Sequence, residues 1–73
     1  AFFNRGFALA RAGQLREAVP AFKESLRHNP EHLESYFLLA DLLLKLGEPA
    51  EARRYIDTAR ALKPDDPRFQ RGR

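Results

Sequence analysis

Cysteine is absent from the 73 residues, so this chain can supply neither a disulfide staple nor a thiolate metal site. A cysteine-free chain suits reducing and oxidising surroundings alike, and the compartment stays open. Long apolar runs are missing too. The longest, Tyr36 to Ala40, stops at Asp41, far short of the roughly 20 residues of a membrane-spanning helix. No secretory leader pattern opens the sequence, and it begins with Ala1 rather than Met; the expectation is a piece of a longer protein. Glycine is scarce, at positions 6, 13, 47 and 72, and forms no phosphate-cradling loop. A cationic face is lacking as well. Residues 1–67 carry ten Lys/Arg and ten Asp/Glu, and the net excess of +3 sits in Arg68, Arg71 and Arg73. A nucleic-acid domain needs basic charge spread over its fold, so no nucleic-acid partner is expected. With so few residues only about 60% of the unfolded surface can be buried, and the core supplies roughly 3–5 kcal/mol.

What the sequence has is a repeat. Shifted by 34 residues, Phe2 falls on Tyr36, Gly6 on Ala40, Leu9 on Leu43, Gly13 on Gly47, Ala18 on Ala52, Phe22 on Ile56, Ser25 on Ala59 and Pro30 on Pro64. Few aligned pairs are identical, yet size class is kept where packing or a turn requires it. A fixed period of this length marks stacked units that bury a shared core. Repeat arrays generally offer surfaces to other proteins rather than catalytic pockets.

Helical spacing accounts for nearly all of the chain. The first helix is expected over 2–12, with Phe2, Arg5, Gly6, Leu9 and Ala12 in register, closed by Gly13. The second spans about 15–28, with Ala18, Phe22, Ser25 and Leu26 inward, and stops at Asn29-Pro30. Pro20 falls inside it and should remove one backbone hydrogen bond and bend it. The third spans about 31–46, with Tyr36, Leu39, Ala40 and Leu43 as its stripe and Gly47 as its stop. The fourth opens at Pro49, a favoured first helical residue, turns Ala52, Ile56, Ala59 and Leu62 inward, and ends at Lys63-Pro64. Asp66-Pro67 reads as a fresh start. The expected fold is all-α: two antiparallel helical hairpins, with small residues where helices approach closely, Gly6 against Ala18 and Ala40 against Ala52.

At these residues the sequence resembles the tetratricopeptide repeat family. Its pattern of large aromatic, small residue, large apolar residue, glycine turn, alanine, aromatic and closing proline is met by Phe2, Gly6, Leu9, Gly13, Ala18, Phe22 and Pro30. It is met again by Tyr36, Ala40, Leu43, Gly47, Ala52, Ile56 and Pro64. The resemblance implies stacked antiparallel helix-turn-helix repeats within residues 1–67, at about 1–30 and 31–64. Residues 65–73 would start a further helix or form a frayed basic tail. Arg5 and Arg60 depart from the pattern, standing where Leu39 and Leu26 keep it.

The resemblance further implies a concave groove lined by the first helix of each repeat, and a protein or peptide as partner. The residues expected there are Phe3, Asn4, Phe7, Ala10 and Arg11 from the first repeat, and Glu34, Phe37, Leu38, Asp41, Leu44 and Lys45 from the second. Phe3 and Phe7 are one turn apart and share a face. An apolar trough with charged edges would take an amphipathic helix or an extended apolar peptide. Relatives that clamp a chaperone's C-terminal carboxylates use Lys and Asn on these helices. Phe3, Phe7 and Leu38 occupy the matching positions, and none donates a hydrogen bond to a carboxylate.

The remaining candidate residues carry weaker signals. His28 and His32 have the spacing of a zinc pair, but Asn29-Pro30 separates them and no third ligand follows; they are expected as solvated turn histidines. Ser25 and Ser35 lack a histidine and acid arranged to activate them. Arg53, Arg54 and Arg60, interleaved with Glu51 and Asp57, form a solvated ion-paired face. No enzyme activity, cofactor, metal or small-molecule substrate is expected. The alternative function is self-assembly, as a homo-oligomeric dimer or by end-to-end stacking, with Phe69 among the apolar residues left open at the end.

Overall fold

The computed structural model describes residues 2–69; the side chains of Phe2 and Arg68, and the basic residues Arg71 and Arg73, lie outside the described set. Four helices follow in order: α1 (Phe2–Arg11), α2 (Leu15–His28), α3 (Leu33–Lys45) and α4 (Pro49–Leu62), then a single 3₁₀ turn at Pro67–Phe69. Each helix packs on its neighbour in the chain, α1 on α2, α2 on α3 and α3 on α4. The result is two antiparallel hairpins lying side by side.

The 34-residue period of the sequence reappears in the backbone hydrogen bonds. The Gly13 N–H donates to Ala10 and the Gln14 N–H to Leu9; 34 residues on, Gly47 donates to Leu44 and Glu48 to Leu43. Both sets form the double bond pattern that closes a helix around a left-handed residue. The two glycines carry it, with φ of 84° and 82°. At the other end of each hairpin, Asn29 donates to Ser25 and Lys63 to Ala59, with φ/ψ of −145°/78° and −140°/76°. Each precedes a proline, whose ring drives the preceding residue out of the helical region. The next bond recurs as well, His32 to Asn29 and then Asp66 to Lys63.

The core forms where α2, α3 and α4 meet. Ala18, Phe22 and Leu26 come from α2, Tyr36, Leu39, Ala40, Leu42 and Leu43 from α3, and Ala52 and Ala59 from α4. Small residues set the helix separations. A Cβ on Gly6 would stand 3.2 Å from atoms of the fully buried Phe22 ring, so Phe22 makes the nearest approach at Gly6. Pro20 lies within α2, which continues through it to His28.

Polar groups tie the hairpins together. The hydroxyls of Ser25 on α2 and Ser35 on α3 are 3.1 Å apart and buried, and His32 Nδ1 lies 2.7 Å from Ser35 Oγ. His32 also meets the Phe3 ring edge-on, with centroids 4.8 Å apart. It is therefore an interface residue, not the solvated turn histidine its neighbours Asn29 and Pro30 suggested. Lys23 Nζ donates to Glu51 Oε2 at 3.2 Å, joining α2 to α4; this half-exposed pair contributes about 0.2–1 kcal/mol. The Tyr36 hydroxyl donates to the Pro30 carbonyl at 2.7 Å. Burial, reinforced by neighbouring Tyr55, pushes the Tyr36 phenol above its ordinary value.

Three residues expected on packing stripes are exposed instead. Leu62, in the last turn of α4, is 41% exposed, because no described helix lies over it. Arg5 and Ala12, placed in the α1 stripe by spacing, face solvent. Phe69, expected open, is partly buried: the 3₁₀ turn folds back and brings its ring 5.3 Å from Phe37, with the Arg60 guanidinium 5.3 Å from its centroid.

Candidate functional site

Helices α1 and α3 share one side of the molecule, and a cleft of about 200 Å³ runs between them. Phe7, Ala10 and Arg11 form its α1 wall, at i, i+3 and i+4. Leu38, Asp41, Leu42 and Lys45 form its α3 wall, at i, i+3, i+4 and i+7. Leu15 and Phe22 of α2 close the remainder. Helical periodicity puts each set on a single face.

The sequence-expected residues divide by position. Phe7, Ala10, Arg11, Leu38, Asp41 and Lys45 all border the cleft. Phe3 turns toward the core, 5.7 Å from Phe22 and 6.4 Å from Phe7 between ring centroids. Asn4 and Glu34 are exposed and do not line the cleft. Phe37 lies against Phe69. Leu44, 56% exposed, borders a different recess with Pro49, Ile56 and Arg60. Phe37 and Leu44 are one residue out of step with the Leu38 stripe, and one residue is about 100° around a helix. Leu15, Phe22 and Leu42 were missed. Leu42 was legible as the i+4 neighbour of Leu38, whereas Leu15 and Phe22 come from another helix and carry no local signal.

Charge at the cleft is small and uneven. Lys45 Nζ and Asp41 Oδ2 pair at 3.2 Å, one helical turn apart. Arg11 makes no ion pair among the described residues; its guanidinium stands 5.8 Å from the Phe7 ring centroid. Phe7 is 42% exposed. The cleft thus combines an apolar floor, one internally neutralised pair and one uncompensated cation.

A second recess, of about 440 Å³, lies on the α2 and α4 side, bordered by Lys23, Leu26, Arg27, Tyr36, Tyr55 and Thr58. Its cations are engaged, Lys23 with Glu51 and Arg27 with Glu24 at 2.7 Å. No group of three His, Asp or Glu among the described residues gathers around a common point. Ser35 has His32 beside it, and its side chain is sealed from solvent. No described helix is long and apolar enough to cross a membrane.

Comparison with known proteins agrees with this architecture. The family model described as tetratricopeptide repeat matches residues 9–73. Over 53 residues, 73% of this chain, the sequence is 43% identical to the TPR repeat-containing thioredoxin TTL4 of Arabidopsis thaliana. It is 42% identical over the same length to the inactive TPR repeat-containing thioredoxin TTL3 of that organism. The match spans only 8% of each relative's own length.

Proposed function

The chain belongs to the tetratricopeptide repeat family, and from that premise we propose that it is a protein-interaction module whose partner segment lies in the cleft between α1 and α3. The observation that carries this reading is the exposed Phe7 ring beside Leu38, at the mouth of an apolar cleft. A ring left in water on a domain with so little apolar surface to spare gains more from a partner than from solvent. The floor residues Phe22 and Leu42 are fixed by the core, so the cleft is preformed and a ligand need not organise it.

Catalysis is no part of the proposal. Both relatives carry thioredoxin in their names, but thiol–disulfide exchange needs a thiolate and this chain has no cysteine. The resemblance to them therefore concerns the repeats alone. The test is a binding measurement on the full chain with Phe7→Asp and Leu38→Asp, checked for retained helicity by circular dichroism. Both variants are expected to weaken partner capture by tenfold or more, on the order of 1.4 kcal/mol. Unchanged capture by folded variants would exclude the cleft.

A further inference from the structure

We propose that the segment received by the α1/α3 cleft carries an acidic side chain next to one large apolar side chain, with the carboxylate paired to Arg11; this rests on the cleft reading above. The volume sets the apolar part. About 200 Å³ compares with the roughly 150 Å³ cavity that holds a benzene ring, so the cleft admits one aromatic or long aliphatic side chain.

The charges set the polar part. Asp41 is neutralised by Lys45 within its own helix. The α1 sequence from Phe2 to Arg11 contains two arginines and no acid. The net field at the cleft mouth is that of Arg11, which has no carboxylate among the described residues. Its approach to the Phe7 ring restrains the guanidinium beside the apolar opening, so less side-chain freedom is lost when it binds. A planar fork of donors suits a carboxylate. The carboxylate is assigned to an internal Asp or Glu, because one cation, unpaired among the described residues, is offered here beside apolar Phe7, Ala10 and Leu38.

Panning a phage-displayed random peptide library on the 73-residue chain tests this. The expected yield is peptides pairing Phe, Leu or Ile with a nearby Asp or Glu. Their synthetic versions should lose affinity roughly three- to thirtyfold on Arg11→Glu, from lost attraction plus added repulsion at an exposed site. Replacing the peptide's acid by Lys should restore binding to the Arg11→Glu variant, an outcome that a disturbed Phe7 ring would not produce. Peptides that depend on Phe7 but carry no acid, or ignore Arg11→Glu, would overturn this proposal and leave the cleft reading standing. Peptides indifferent to Phe7→Asp, or no enrichment at all, would contradict both.

Discussion

Single residues decide the turns and the core. Gly13 and Gly47 hold φ near +80° with open space around them, so alanine there meets backbone strain and no clash. Gly13→Ala and Gly47→Ala should each cost about 1–2 kcal/mol, read as a lower urea midpoint. That is a large share of the roughly 3–5 kcal/mol a core of this size supplies. Phe22→Ala is worse. It empties the centre of the core and costs about 3–5 kcal/mol, enough to leave the chain unfolded at 25 °C by circular dichroism. Tyr36 adds a pH dependence. Its folded-state value is raised, so its stabilisation is present below the unfolded value of about 10 and is lost as pH rises through the folded one. Stability should therefore fall in alkali, and Tyr36→Phe should flatten that fall while removing the bond to Pro30. An alkaline limb equally steep in Tyr36→Phe would show that another group sets it.

Elements are specified by local chemistry, but their partnering is not. Helix ends were readable because glycine and proline act on their own backbone: Gly13, Gly47, Pro30 and Pro64 mark the stops by themselves. The stripes on α2 and α3 were readable because their buried faces span several turns. Less was legible at the site. The sequence gathered Phe3, Phe7, Phe37 and Leu44 as one surface, yet Phe3 is drawn toward Phe22 and His32, and Phe37 toward Phe69. Those contacts join residues distant in sequence, and neither composition nor period encodes them. The same dependence applies to a hairpin by itself. α2 buries Ser25 and Leu26 at the junction with α3, so a peptide of residues 1–30 lacks the surface that covers them. Such a peptide is expected to show little helicity and no cooperative melting transition; a sharp transition would mean that each hairpin is an independent folding unit.

At the scale of the molecule, two copies of one hairpin produce a core whose edge, at Phe22 and Leu42, is the floor of the α1/α3 cleft. The hydrogen bonds recur every 34 residues, while the side chains placed on that frame differ: Phe7 is matched by Asp41 and Ala10 by Leu44. The repeating backbone builds the shape, and the departures from repetition give the cleft its apolar ring, its neutral pair and its free arginine. The most direct measurement is a titration of the isotope-labelled chain with a library-derived peptide, following backbone amide shifts by NMR. The largest changes are expected at Phe7, Ala10, Arg11, Leu38, Asp41 and Lys45. Changes centred instead on Lys23, Tyr55 and Thr58, across the molecule, would contradict the cleft reading.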